Sequence, residues 1–240
     1  MSTIADNIAR VSSRIHAAAI AAQRDEHNVQ LLAVSKTKPA QALREAHAAG
    51  ICDFGENYLQ EALTKQLELA DLPLIWHFIG PIQSNKTRAI AEHFAWVHSV
   101  DRLKIAQRLS EQRPADLPPL NICIQVNVSG EASKSGCTPA DLPALANAIS
   151  ALPRIKLRGL MAIPEPTEDR VAQDAAFAAV QRLQASLNLP LDTLSMGMSH
   201  DLESAIAMGA TWVRIGTALF GARDYGQPPM ADSLIHKDLT

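Results

Sequence analysis

The sequence predicts an α/β chain: a (β/α)8 barrel of the TIM type with an added N-terminal helix. Two observations carry that expectation. Eight short apolar runs rich in β-branched residues recur along the chain, and segments with helix signals separate them. Such alternation implies parallel strands with helical crossovers, and eight units in roughly 190 residues close a barrel at the compact end of its usual size. The open, doubly wound sheet is the alternative. The first strand-to-helix turn, SKTKP, contains no glycine, which argues against a dinucleotide-binding version of it.

The elements follow in order. Ile4, Ile8, Val11, Ile15 and Ala22 fall at helical spacing, a single apolar stripe that must pack on something larger. The expected strands are 31–35, 51–54, 74–79, 95–97, 122–128, 157–161, 193–196 and 211–215. Pro39 at the first helical position opens one intervening helix, and Gly50 follows its end. Asp101 is an N-cap candidate, Thr138 before Pro139 caps another helix, and Thr167 with Glu168 and Asp169 starts a long one. Gly209 ends the helix that carries Leu202 and Ile206. Residues 1–225 are expected to form one domain, and the polar, proline-broken stretch 226–240 a loosely ordered tail.

Composition narrows the function classes. The chain has 240 residues, 47% of them hydrophobic, with 22 basic and 25 acidic side chains and a net charge of −3. An apolar fraction this high with near-balanced charge excludes overall disorder, and the absence of excess positive charge argues against nucleic acid as a partner. No run of about 18 apolar residues is present, so no membrane helix is expected. MSTIADNIARVSSR reads as a helix start and not as a secretory signal. Cys52, Cys123 and Cys137 are odd in number and widely spaced, which fits a reducing, cytoplasmic setting and gives neither a disulfide framework nor a metal pair. The eight histidines are scattered without ligand-like spacing, so no metal site is expected.

A barrel carries its site at the carboxyl ends of its strands. Lys36 follows Leu32 and Val34 at period two and shares their inward face. A lysine at a barrel mouth either snorkels to solvent or sits with a lowered pKa, poised to attack carbonyls. After strand seven comes Gly197-Met198-Ser199, and after strand eight Gly216-Thr217, with a short helix expected through Phe220. Each stretch alone reads equally well as a turn or a cap; together, after the last two strands, they favour a phosphate. Arg214 shares the parity of Gly216 and faces the mouth, where it needs an acceptor; a plain ion pair with Glu56 or Asp201 is the structural alternative. An aldehyde-seeking lysine, a phosphate cradle and one buried arginine suggest pyridoxal 5′-phosphate, held at its aldehyde carbon, its phosphate and its ring nitrogen respectively.

Six stretches, LLAVSKTKP, FGENYLQEA, WHFIGPIQSNK, SKSG, LRGLMAIP and MGMSHDLESAIAMGATWVRIGTALFGAR, carry a close resemblance to the pyridoxal phosphate homeostasis protein family over about residues 4–225. That family resembles the barrel domain of alanine racemase (fold type III) without the racemase's second, β-rich domain. The resemblance implies an aldimine at Lys36, phosphate binding by Ser199, Gly216 and Thr217, Arg214 at the ring nitrogen, and Asn57 lining the pocket near the ring. His77 is left as pocket or core. No catalytic residue is assigned.

The resulting expectation is a cofactor-binding protein that serves intracellular vitamin B6 and amino-acid homeostasis, not an enzyme with substantial catalysis. A protonated arginine at the ring nitrogen leaves the ring a weak electron sink, and neither Tyr58 nor Tyr225 follows a racemase pattern. A minor amino-acid racemase is the alternative; an aldolase with a Schiff-base lysine leaves Arg214 unexplained. Transient contact with cofactor-dependent apo-enzymes and a monomeric state are expected. Lys38, Lys86 and Lys134 are read as a solvated rim, or as a weaker second aldehyde site.

Overall fold

In a computed structural model, which describes residues 2–129 and 135–222, eight parallel strands close into a barrel in chain order. The order is α1 (Ile4–Ala21), β1 (Gln30–Val34), α2 (Ala40–Ala48), β2 (Asp53–Glu56), α3 (Leu59–Glu68), β3 (Ile75–Phe78), α4 (Thr87–His93) and β4 (Trp96–Val100). It continues with α5 (Leu103–Gln112), β5 (Leu120–Gln125), α6 (Leu142–Ser150), β6 (Ile155–Met161), α7 (Arg170–Ser186), β7 (Thr193–Ser195), α8 (Leu202–Ala207), β8 (Trp212–Ile215) and α9 (Thr217–Phe220). Closure is the β1–β8 pairing, with Leu32 opposite Arg214 and Ala33 opposite Ile215. The stretch 226–240 and Lys134 lie outside the described residues.

All eight expected strands are present, and the added helix is α1. Its start is a reciprocal cap: Thr3 Oγ1 accepts from Asp6 N at 3.1 Å while the Asp6 carboxylate accepts from Thr3 N at 2.9 Å. Its apolar stripe, Ile8, Val11 and Ile15, is buried, and it packs on α2, α8 and α9. Polar latches fix its register: Arg14 grips Glu203 through Nε at 2.8 Å and Nη2 at 3.0 Å, and Arg24 Nη1 donates to Ile206 O and Ala210 O.

Several helix starts differ from expectation. Pro39 is the N-cap of α2 and Ala40 its first residue. Asp101 does not cap α5; its carboxylate pairs with Arg102 at 2.7 Å, and Arg102 holds the cap position. Thr138 Oγ1 accepts from Asp141 N one turn early, so α6 begins after Asp141. In the stretch Thr167-Glu168-Asp169 the cap is Asp169, accepting from Val171 N at 2.9 Å. Short side chains that bond nearby N–H groups serve a turn as readily as a helix start. Helices α3 and α4 had no cap signal in the sequence, and neither has a side-chain cap bond.

The core has two parts. A continuous layer between barrel and helices includes Leu43, Phe54, Phe78, Ile105, Leu109, Ile122 and Val213, all sealed from water. A separate small cluster, Trp96, Cys123 and Met161, sits on the inward faces of β4, β5 and β6. The barrel interior is thus unusual, because aliphatic branched residues normally dominate there. Here His77, His98, Trp96 and Trp212 are in mutual ring contact, with His77 stacked on Trp96 at 5.6 Å and 4°.

Candidate cofactor site

The site forms because strand alternation delivers one inward residue from each neighbouring strand end to a shared mouth. On β1 the inward set is Leu32, Val34 and, just past the strand, Lys36; Ser35 faces outward and donates to Glu56 Oε1 at 2.6 Å. On β2 and its continuation, Gly55 faces inward against Leu32 and Ile79, and Asn57 follows at the same parity. On β8 the inward residues are Arg214 and Gly216. A cavity of about 210 Å³ opens at this end, and Lys36, Asn57, Ser199, Arg214, Gly216 and Thr217 all line it. The six residues singled out in the sequence therefore meet in one place, with 197–199 beside 216–217.

The turn that presents Lys36 is braced from outside the barrel. Thr37 has φ 64°, a left-handed conformation unfavourable for a β-branched residue, so the surroundings must hold it. Glu61 Oε1 accepts from Thr37 N at 2.6 Å. Lys65 Nζ, on the same helix, donates to Ser35 O at 2.7 Å, Glu56 Oε1 at 2.7 Å and Glu61 Oε1 at 2.5 Å. Glu56 is fully buried, and burial pushes its carboxyl above the ordinary range, with Lys65 and Ser35 pulling it back. Glu56 therefore does not pair with Arg214; it belongs to the wall behind Lys36.

Arg214 is committed to the protein on one edge. Nη1 donates to Ser195 O at 2.6 Å and Ser195 Oγ at 2.8 Å, and Nη2 donates to Ala162 O at 2.9 Å. Burial lowers its pKa to about 10, with Asp201 pulling it upward, so the guanidinium stays charged at neutral pH. Asp201 is itself raised by burial and accepts from Met198 N at 2.5 Å. Asp201, and not Ser199, holds the N-cap position of α8, with its carboxylate turned back to the preceding loop.

Ser199 and Thr217 stand where the last two strands end. Gly197 has φ 94°, and a Cβ there would lie 2.5 Å from Ala205 Cβ, so both backbone angle and space demand glycine. Gly216 is different: its φ is −115°, and a Cβ would meet Val34 O at 3.2 Å, so its smallness also serves packing against β1. Arg14 Nη2 donates to Ser199 O at 3.1 Å, which connects α1 to this loop.

Three loop lysines were grouped as a rim. Lys38 lines the cavity and donates to Phe220 O at 3.0 Å and Ala222 O at 2.7 Å, tying the end of α9 to β1. Lys86 is exposed at the end of a 3₁₀ turn, Ser84–Lys86. Lining residues not foreseen are Ile79, Ile163, His200 and Gly221. Ile79 closes the third expected strand; the other three come from segments whose path the sequence does not fix. His77 proves to be interior: it contacts His98 and Asp53 and does not line the cavity.

Pyridoxal phosphate fits this donor set. Asn57 Oδ1 is a buried acceptor in the cavity wall without a protein partner. A primary amine, a charged guanidinium and two hydroxyls share the space with it. Such a site suits a ligand with an aldehyde, a phosphate and a ring acceptor.

Comparisons with known proteins agree. The model of the alanine racemase N-terminal domain family matches residues 2–224. The pyridoxal phosphate homeostasis protein of Pseudomonas aeruginosa is 78% identical over 228 residues, covering 95% of this chain and 99% of that protein. Its counterpart in Escherichia coli K12 is 54% identical, covering 95% and 100%. This chain belongs to the pyridoxal phosphate homeostasis protein family. Among solved structures, PipY of Synechococcus elongatus with PLP bound superposes with a TM-score of 0.81 at 43% identity, covering 91% of this chain and all of that one. An alanine racemase from Corynebacterium glutamicum shares the barrel (TM-score 0.68, 19% identity), and the match spans 61% of its length. Among the described residues, no helix is long and apolar enough to cross a membrane.

Proposed function

We propose that this chain binds pyridoxal 5′-phosphate reversibly at Lys36 and serves vitamin B6 and amino-acid homeostasis without substantial catalysis. The single observation that carries the reading is the convergence of Lys36, Arg214, Ser199 and Thr217 on one cavity. When bound, the cofactor supplies an aldehyde that condenses reversibly with a primary amine. Lys36 Nζ is that amine. Ser199 and Thr217 donate to the phosphate, and Gly216 leaves the chain room beside it. Arg214 donates to the ring nitrogen and keeps its own proton, since its pKa of about 10 lies well above neutrality. Asn57 Oδ1 accepts from a donor beside the ring.

The same residues support carriage over turnover. An arginine that retains its proton leaves the ring a poor sink for electrons, where a carboxylate would favour a charged pyridinium. Racemisation further needs an acid/base opposite the lysine, and Tyr58, the tyrosine among the described residues, is 55% exposed and does not line the cavity. We infer a cytoplasmic setting, because Cys52, Cys123 and Cys137 are free, and burial raises Cys123 to about 12 and Cys137 to about 11, leaving those two thiols inert. A single barrel domain over 1–225, a monomer, and brief contact with apo-enzymes complete the reading.

Absorption spectroscopy tests it. The wild-type chain loaded with pyridoxal phosphate and then dialysed should keep the visible band of a lysine-linked cofactor, and Lys36→Ala should lose it. A wild type that stays colourless with added cofactor would refute the reading.

A further inference from the structure

Five side chains thread the barrel interior from its amino-terminal end to the cavity. Arg214 Nη1 meets Ser195 Oγ at 2.8 Å, Ser195 Oγ meets His98 Nδ1 at 2.7 Å, His98 Nε2 meets His77 Nδ1 at 3.0 Å, and His77 Nε2 meets Asp53 Oδ1 at 2.9 Å. Both histidines and Ser195 are fully buried, and the Asp53 side chain is 23% exposed at the far end. Trp96 and Trp212 close around the pair of imidazoles.

The bonds have one self-consistent direction. An ionised carboxylate only accepts, so His77 gives its Nε2–H to Asp53 and, being neutral, accepts at Nδ1 from His98 Nε2–H. The same logic at His98 makes Nδ1 the acceptor of the Ser195 hydroxyl, whose oxygen accepts from Arg214. Each imidazole is neutral in this arrangement. That agrees with burial, which drives both below the ordinary histidine value; Asp53 partly opposes it at His77, while His77 and Arg214 add to it at His98. Every dipole turns its negative end toward Arg214, so the chain stabilises the guanidinium and ends on a carboxylate of opposite charge.

The geometry points to Asp53, His77, His98 and Ser195 as positioning residues that fix the charge and orientation of Arg214, and through it the ring of the bound cofactor. Three of the five guanidinium N–H groups are spent on Ser195 and Ala162. That leaves Nε–H and one Nη2–H for the cavity. The inference about the ring rests on the proposed role of Arg214; the relay itself does not.

Two measurements separate them. Nitrogen-15 NMR of the unloaded chain should show both His77 and His98 as neutral Nε2–H tautomers. In Asp53→Asn the amide offers either a donor or an acceptor, so the direction is no longer imposed and the tautomers should become mixed. Ser195→Ala removes the hydroxyl without changing charge and should leave the tautomers in place. Both variants should keep the Lys36-linked band but weaken pyridoxal phosphate binding roughly tenfold. An Nδ1–H tautomer at either histidine of the wild type would overturn the relay, as would unchanged tautomers and affinity in Asp53→Asn. Expected tautomers in a wild type that takes up no cofactor would sink the functional reading and leave the relay as the support of Arg214.

Discussion

Lys65 Nζ lies 2.7 Å from Glu56 Oε1, in a seam where Glu56 is sealed from water and Lys65 is 4% exposed. Through Ser35 O and Glu61, the same ammonium braces the strained turn that presents Lys36. Removing one partner of a buried pair strands the other charge, at a cost of about 3–5 kcal/mol. Lys65→Met should lose stability of that order in urea denaturation. Adding Glu56→Leu should recover much of the loss. A single variant as stable as the wild type would show that the pair does not hold the turn.

Two glutamates should respond to pH with opposite sign. At Glu203 burial raises the carboxyl, but the hydrogen bonds from Arg14 outweigh it and the net pKa lies below the ordinary 4.5. Its contribution is therefore present above 4.5 and fades as pH falls through the folded value. At Glu56 burial dominates and the net pKa is raised. Its contribution is full below the ordinary 4.5 and lost as pH rises through the folded value. Melting temperatures of Glu203→Gln should thus fall below wild type at neutral pH and converge on it in acid. The gap between Glu56→Gln and wild type should move in favour of the variant as pH rises.

Gly197→Ala should damage the phosphate end of the site. The residue must hold φ 94° and its new Cβ must escape Ala205 Cβ at 2.5 Å. Strain of this kind costs about 1–3 kcal/mol and shifts the loop that carries Ser199. Titration should show weaker binding of pyridoxal phosphate with little change for pyridoxal, which lacks the phosphate. Equal losses for both ligands would place the phosphate elsewhere.

Incubation with single L-amino acids should yield no D-isomer above background, and Tyr58→Phe should leave the bound-cofactor spectrum unchanged. Steady accumulation of D-isomer that Tyr58→Phe abolishes would assign this side chain to turnover.

The fold and the mouth were legible in the sequence because both follow a period. Strand alternation alone put Lys36, Arg214 and Gly216 on the inward face, while Asn57 came from the family resemblance. The starts of α3 and α4 were not marked in the sequence, which has no capping residue there; tertiary burial of Leu59, Ala62, Ile90 and Ala91 holds these helices. The Glu56–Lys65 pair was hidden for a related reason, since it forms between a strand and a helix at positions that read as an ordinary polar face. The interior relay shows the opposite case. Asp53 has the parity of Asn57, and His77 that of Ile79, so their inward direction was readable, but their partners on distant strands were not. Loop residues such as His200 and Ile163 follow no period at all.

The central claim is that one particular amine takes the cofactor. Borohydride reduction of the loaded chain followed by peptide mass mapping tests it most directly. A single reduced adduct is expected, on Lys36, absent from Lys36→Ala. An adduct on Lys38 or Lys86 with Lys36 unmodified would contradict it.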